Sequence, residues 1–237
     1  MPVHSIHAFA EKVVLVTDGT TPIGRAVALQ LALLGAYVIV GYSDAVEEAE
    51  RALEELKSLG TLANAVKADL KTAEGARALV GEIEKLYGRL DLLVHTLKSE
   101  PVASFLETSE EIWQTTMDAN LKSVFFVTQA AFPLMHSRPK PSIVTVVSEF
   151  EKAEKNPAFA AAGSAVVGIV KQLSRQLPKN FRINCVAVEE GGEETNENEL
   201  FKTTTGVSPD DAARAVLYLL SSEAKALNGQ VLTVGKR

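Results

Sequence analysis

Short runs of apolar residues alternate along this chain with longer stretches in which apolar residues recur every three or four positions. The short runs are rich in Val, Ile and Leu with few polar interruptions, which is typical of strands buried on both faces of a parallel sheet. This pattern predicts seven strands, at residues 13–16, 37–40, 65–68, 90–94, 143–147, 181–188 and 230–234.

The stretches between the strands have the periodicity of amphipathic helices. Ser109 and Ser208 stand where helix N-caps are preferred, and Gly35, Gly60 and Gly88 follow three of the stretches as expected for helix ends. Helices are predicted at residues 23–34, 45–59, 73–87, 109–132 (one long helix or two), 157–177 and 209–221. Repeated strand–helix alternation predicts an α/β fold with a Rossmann-like, doubly wound, parallel seven-stranded sheet.

The domain organisation is predicted to be simple. The chain has 237 residues, an ordinary length for one α/β domain, and no linker or internal repeat divides it. We therefore predict a single domain over residues 1–237, with an N-terminal extension at residues 1–11 and an acidic loop at residues 189–206.

Composition and charge exclude several classes of protein. The net charge is −6, whereas proteins that bind nucleic acid through its phosphates are normally basic, so no nucleic-acid partner is expected. No apolar run is long enough for a membrane span, and no secretory signal precedes the first strand, so a cytoplasmic protein is expected. Cys185 is the single cysteine and the four histidines lack metal-ligand spacing, so neither a disulfide nor a metal site is predicted.

Seven segments carry a resemblance to a known family. They lie, in order, at residues 15–25, 68–70, 90–94, 120–121, 143–148, 183–187 and 229–234. Through them the chain resembles the short-chain dehydrogenase/reductases from about Lys12 to Val234. The resemblance implies a Rossmann fold, a nicotinamide cofactor and oxidoreductase chemistry, and it implies site residues that can be compared one by one.

The turn after the first strand departs from the family's phosphate-binding pattern, Thr-Gly-x-x-x-Gly-x-Gly. Asp18 and Pro22 stand where the first two glycines belong. Proline has no N–H to donate, and a carboxylate would repel phosphate. Alternatively, Thr21 and Pro22 are simply an N-cap and first residue of a helix. Cofactor binding is predicted to be weak or absent, and any binding would use Thr17, Gly19, Thr20, Ile23, Gly24, Asp69 and Leu70.

Residues beside the implied cofactor are equally unusual. After the second strand the chain has Tyr42 and Ser43, and Arg25 is the nearby cation, so NADP is slightly favoured over NAD if either binds. Asp69 matches the family's adenine-contacting acid, although it could equally close a turn. The family's Asn-Asn-Ala-Gly is replaced by residues 95–98, in which His95 is either a catalytic group or a hydrogen-bonded structural residue.

The family's catalytic groups are only partly present. Ser148 and Asn120 match the Ser and Asn positions, as remnants of the site. Phe159 stands at the position of the Tyr that donates the proton, and Gly163 at that of the Lys that lowers the pKa of the Tyr. The next lysine, Lys171, is eight residues further on and therefore roughly 12 Å along a helix. The Pro-Gly after the sixth strand is replaced by Val-Glu at 188–189.

Several functions agree with these departures. The chain is interpreted as a catalytically silent or strongly altered family member with a binding, scaffolding or regulatory role. The alternatives are an active NAD(P)-dependent oxidoreductase with non-standard catalytic groups, another chemistry in the same cleft, and an inactive subunit of a mixed oligomer with a homologue. The resemblance also implies a homodimer or homotetramer that pairs through helices 109–132 and 157–177.

Overall fold

One parallel sheet of seven strands organises the molecule, as the sequence predicts. The computed structural model describes residues 8–97, 103–148, 157–188 and 207–235. The strand order is β3-β2-β1-β4-β5-β6-β7, and all pairs are parallel. The strands are β1 Val13–Val16, β2 Tyr37–Tyr42, β3 Ala63–Lys67, β4 Leu92–Thr96, β5 Ser142–Ser148, β6 Arg182–Val188 and β7 Val231–Val234.

Helices connect the strands and cover both faces of the sheet. They are α1 Pro22–Leu33, α2 Val46–Ser58, α3 Ala73–Tyr87, α4 Glu110–Met117, α5 Ser123–His136, α6 Pro157–Gln176 and α7 Pro209–Leu220. A π-helical segment, Asp118–Lys122, joins α4 to α5. The stretch predicted at 109–132 is therefore continuous helical structure with a π-helical turn inside it. It also continues past its predicted end, because Pro133 is accommodated inside α5.

Two hydrophobic cores lie on opposite faces of the sheet. Val14 and Val16 of β1 pack with α1 and α7 on one face, whereas Val13 and Leu15 pack with α3, α5 and α6 on the other. All four side chains are fully buried. Alternate residues of a strand point to opposite faces, so a strand covered on both sides must be apolar throughout.

The fourth strand begins two residues later than predicted. Leu90 and Asp91 precede it, and Asp91 turns its buried carboxylate to Val13 N, at 3.0 Å, and to Arg138 Nε, at 2.8 Å. The strand instead continues through His95 and Thr96. Sequence periodicity misplaced these two residues in the following turn, and their inclusion in the sheet changes how they can act.

The N-terminal extension predicted at residues 1–11 is in part integrated into the domain. Phe9 is buried against the α1–α7 core, and its N–H donates to the carbonyl of Leu34 at 3.2 Å. Residues 8–11 therefore belong to the folded domain. Residues 1–7 and the predicted acidic loop at 189–206 lie outside the described residues.

Neither membrane spans nor metal clusters occur in the part of the chain that the structure describes. No helix there is both long and apolar enough to cross a bilayer. No three His, Cys, Asp or Glu side chains within the described ranges gather to hold a metal ion. Cys185 is free and buried, and burial raises the pKa of its thiol to about 12, which makes it an inert core residue.

Candidate functional site

The candidate site lies at the carboxyl ends of the central strands. The chain order reverses between β1 and β4, and in open parallel sheets ligands bind in the crevice at this reversal. The turn after β1, the end of β4 and the end of β5 lie side by side at this edge, and the first turns of α6 carry the positions that the resemblance assigns to the catalytic Tyr and Lys. Each of these segments carries residues that the sequence singled out.

Thr17 and Thr96 join the turn after β1 to β4. Thr96 donates its Oγ1 hydrogen to the carbonyl of Thr17 at 2.6 Å, and its N–H to Thr17 Oγ1 at 3.3 Å. The N–H of Thr17 in turn donates to the carbonyl of Val94 at 2.9 Å. Both threonines are buried. Thr17 therefore holds the turn in place through its own hydrogen bonds, and Thr96 is a structural partner that the sequence analysis did not identify.

Asp18 occupies a backbone conformation suited to glycine. Its φ is +47°, in the left-handed region that Asp tolerates better than most residues. The side chain is only 8% exposed. Its carbonyl accepts from Thr21 N at 3.0 Å and from Thr21 Oγ1 at 2.9 Å. The turn thus keeps the shape that a glycine would give it, with a buried Asp in that place.

The start of α1 satisfies its own amides. Thr21 is the N-cap, and its Oγ1 accepts from Gly24 N at 3.2 Å. Pro22 is the first helical residue and has no N–H. Of the first three helical residues, only Ile23 keeps an amide for a ligand. The interpretation of Thr21 and Pro22 as a helix start is confirmed.

Packing accounts for Gly24, the one family glycine that this turn retains, and for its neighbour Gly19. A Cβ on Gly24 would lie 2.7 Å from the Asp18 carbonyl oxygen and 3.0 Å from Gly19 Cα. A Cβ on Gly19 would lie 3.0 Å from Val40 Cγ1. These contacts exclude a side chain at Gly24 whether or not a phosphate ever approaches.

His95 is a structural residue of the sheet. It is 1% exposed, and its Nε2 lies 3.0 Å from Thr128 Oγ1 on α5. Burial lowers its pKa to about 3, so the ring is neutral at physiological pH. A neutral buried imidazole has no acidic proton to deliver near neutrality, and the structural alternative for His95 fits the geometry.

Asn120 lies at the bend between α4 and α5. It is fully buried in the π-helical segment, and its Nδ2 donates to the carbonyl of Thr116 at 2.9 Å. π-Segments leave i→i−4 acceptors to be satisfied by side chains and often mark functional positions. The Asn that the resemblance assigns to the site is therefore held by a hydrogen bond to the helix that precedes it.

The first turns of α6 carry no ionisable side chain at positions 159 and 163, which the resemblance assigns to the catalytic Tyr and Lys. Phe159 is 4% exposed, and Gly163 is buried one turn later. Ser148 is the last residue of β5 and pairs with Val188 of β6. The resemblance thus assigns a Ser on β5 and an Asn in the π-segment to the site, but positions 159 and 163 of α6 supply neither a phenol nor an ammonium group.

The residues predicted near the adenosine of a cofactor have local partners. Asp69 Oδ1 accepts from Lys71 N at 3.1 Å, and its carbonyl accepts from Thr72 Oγ1 at 3.1 Å. Asp69 thus closes the turn before α3, while Leu70 is 6% exposed and belongs to the core. At the end of β2, Tyr42 pairs in register with Lys67, a cation that the sequence analysis overlooked because the register was unknown.

Comparison with known proteins identifies the family. The family model described as short chain dehydrogenase matches residues 12–204. The chain belongs to the short chain dehydrogenase family. Dehydrogenase/reductase SDR family member 4 of Homo sapiens is 31% identical over 244 residues, which cover 95% of this chain and 87% of that protein. The 3-oxoacyl-(acyl-carrier-protein) reductase FabG of Staphylococcus aureus N315 is 30% identical over 237 residues, which cover 94% and 96%.

Solved structures show the same fold. A short chain dehydrogenase from Escherichia coli CFT073, solved with NADPH, superposes with a TM-score of 0.84 at 23% identity over 97% of this chain and 98% of that one. At this identity the likeness establishes the architecture alone. This member of the short chain dehydrogenase family thus has the NAD(P)-binding Rossmann fold of an oxidoreductase family.

The phosphate turn of this family member fits a dinucleotide less well than a glycine turn does. Asp18 stands in the turn and is 8% exposed, Pro22 offers no amide, and the Gly24 amide is already bonded to Thr21. Helix N-termini bind phosphate through free N–H groups. The turn therefore offers fewer free N–H donors than a glycine turn would, and it contains an Asp.

Proposed function

We propose that this family member is catalytically silent or strongly altered as an oxidoreductase, and that it has a binding, scaffolding or regulatory role. The observation that carries this proposal is the pair Phe159 and Gly163 in the first two turns of α6, both buried. A phenol needs a neighbouring cation to titrate near neutrality. Neither group is present at these positions, and Lys171 on the same helix lies roughly 12 Å from Gly163 along the axis.

Dinucleotide binding by this chain is proposed to be weak or absent, with NADP slightly favoured if any binds. Support comes from Asp18, from Pro22 and from the amide of Gly24, which already has a partner. About 5 Å from a phosphate, a carboxylate costs on the order of 1–3 kcal/mol per charge at an effective dielectric constant of 20–80. The NADPH bound to the Escherichia coli relative is the reason to test both cofactors.

Two measurements on the purified chain test this proposal. Calorimetric titration with NADH and NADPH is expected to give dissociation constants weaker than about 100 μM, or no heat, since roughly two charge repulsions and the lost amides oppose binding. NADPH oxidation against activated ketones and quinones is expected to show no turnover above the buffer rate. A low-micromolar constant for either cofactor, or clear turnover, would reject the proposal.

An oxidoreductase with non-standard catalytic groups is the second candidate. It is favoured by Asn120, which keeps the family position in the π-segment, and by Ser148 at the end of β5. It cannot use His95 as a proton donor, because that ring is buried and neutral. Turnover by the natural chain that is abolished in Ser148→Ala would promote this candidate to first place.

A homodimer or homotetramer is also proposed. A mixed oligomer with a homologue is the alternative form of assembly. Support comes from an apolar stripe at four-residue spacing on α4, the π-segment and α5, of which the outer members are 44% and 41% exposed. The stripe consists of Trp113, Met117, Leu121 and Phe125. Beside it, Ala165 and Ile169 of α6 complete a groove with Leu121 and Phe125. Open space around Gly168 would let a second helix approach closely.

Light scattering tests the assembly. A mass of at least twice 25.4 kDa is expected at micromolar concentration, and Phe125→Glu is expected to reduce it, because a charge would be buried in the interface. Leu86→Glu, a change at another exposed apolar residue, on α3 (48% exposed), is the matched control. A monomer in the natural chain, or equal effects of both changes, would contradict this part of the proposal.

A further inference from the structure

Arg25 and Glu55 form an ion pair between α1 and α2, beside the crevice. Arg25 Nε donates to Glu55 Oε2 at 2.8 Å, and a second guanidinium nitrogen contacts Glu55 Oε1. The hydrogen bond that Arg25 donates to Glu55 raises the pKa of Arg25. Two parallel bonds of this kind engage the guanidinium fork in the way that a phosphate or carboxylate ligand would.

The pair engages the guanidinium from the neighbouring helix. Arg25 is the fourth residue of α1 and Glu55 the tenth of α2. The side chain of Arg25 therefore reaches across to α2. Glu55 thus occupies the guanidinium that could otherwise meet a ligand near the end of β2, where an adenosine ribose would sit.

The end of β2 has little else that would attract a 2′-phosphate. Tyr42 is half-buried and neutral, and Ser43 donates its hydroxyl to the carboxylate of Asp44 at 3.2 Å. Lys67 is a single exposed ammonium on the neighbouring strand. Arg25 is thus the group whose availability decides whether a 2′-phosphate gains a bidentate contact.

We propose that Glu55 is a specificity-determining residue that limits the preference for 2′-phosphorylated nucleotides that Arg25 would otherwise give this chain. Its carboxylate occupies the guanidinium that a 2′-phosphate would need, and its negative charge repels the phosphate that would replace it. The inference rests on the proposed weak dinucleotide binding, because it names a cause of that weak binding at the adenosine end of the cofactor. Glu55 acts through Arg25 and has no part in the chemistry.

The test compares two small probes that differ only in the 2′-phosphate, adenosine 2′,5′-bisphosphate and adenosine 5′-monophosphate. Glu55→Gln should fold normally, because its ion pair is 40–48% exposed and such pairs add little stability. Calorimetry or NMR titration of this variant at low ionic strength should give about tenfold tighter bisphosphate binding than in the natural chain, and an unchanged constant for the monophosphate. Glu54→Gln, at an exposed neighbour, is the matched control and should change neither constant.

A double variant tests whether the gain in bisphosphate binding depends on Arg25, and three outcomes would overturn the inference. Adding Arg25→Gln to Glu55→Gln should abolish the gain, because the freed guanidinium is then absent. The inference is overturned if the bisphosphate constant is unchanged, if both probes tighten equally, or if no bisphosphate binding is detected in Glu55→Gln at millimolar concentration. Its failure is distinct from failure of the proposed function, which is decided by the natural chain with NADH and NADPH.

Discussion

The substitution Asp91→Asn should destabilise the fold at neutral pH by an amount that the structure sets. The carboxylate is 3% exposed and lies 2.8 Å from Arg138 Nε, 3.5 Å from Lys12 Nζ and 3.7 Å from Arg89 Nε. Its Oδ2 also accepts from Val13 N at 3.0 Å. Breaking a buried ion pair costs about 3–5 kcal/mol. The three cations are 27–38% exposed and regain water, so a loss of about 2–3 kcal/mol is expected.

The pH dependence of this loss gives a second check. Burial opposes ionisation of Asp91, but the Val13 N–H, the Arg138 hydrogen bond and the positive charges outweigh it, and the pKa is lowered from 3.8. A carboxyl with a depressed folded pKa stabilises the fold above its unfolded value and loses that effect as the pH falls through the folded value. The difference between natural chain and variant should therefore stay constant from pH 7 to about 5 and shrink below pH 4.

Urea denaturation followed by circular dichroism at pH 7, 5 and 3.5 measures both effects. The variant should also melt roughly 4–12 °C lower at pH 7, given the scaling for a domain of this size. Glu82→Gln, which removes an exposed pair with Lys85, should cost less than about 0.5 kcal/mol. A variant within about 0.5 kcal/mol of the natural chain at pH 7, or a difference that grows on acidification, would refute the reasoning.

Three further predictions concern the site and its support. Asp18→Gly should raise the free energy of unfolding by about 0.5–1 kcal/mol, because φ is positive there. Asp18→Asn should leave the free energy of unfolding nearly unchanged. If the charge of Asp18 opposes NADPH, both variants should bind NADPH more tightly in calorimetry. Phe159→Tyr and Gly163→Lys should each give no carbonyl reduction in an NADPH oxidation assay, and the pair little, because general acid catalysis acts only once a nicotinamide is held; activity in either single variant would contradict this. The guanidinium of Arg182 donates to the carbonyls of residues 219, 220, 221 and 224, at and just after the end of α7. Arg182→Met should therefore destabilise the domain by about 2–3 kcal/mol in urea. Arg175→Met, on the exposed end of α6, is the control, and equal effects of the two changes would refute this capping of α7.

Local signals in the sequence were sufficient for most elements of the fold. Helix α3 has the predicted bounds, and Ser109, Thr21 and Ser208 are N-caps whose side chains accept from backbone amides three residues on. Caps and amphipathic periodicity depend on residues within one or two turns, so they can be recognised without knowing the fold. The family resemblance rests on similarly local segments, which is why the doubly wound parallel sheet could be predicted.

The roles of individual polar residues depended on partners that only the folded sheet and helices bring together. The sequence left a catalytic role open for His95. The fold instead buries His95 beside Thr128, which lies 33 positions away in the sequence. β4 starts later than predicted because Asp91 forms ion pairs with Arg138 and Lys12, which lie 47 and 79 positions away in the sequence. Arg25 looked available to a phosphate, yet Glu55 holds it from the next helix. The sequence by itself determined which segments become strands and helices, because those preferences are local. The tertiary structure decided which charges and hydroxyls are buried and paired, because burial and pairing depend on distances between residues far apart in sequence.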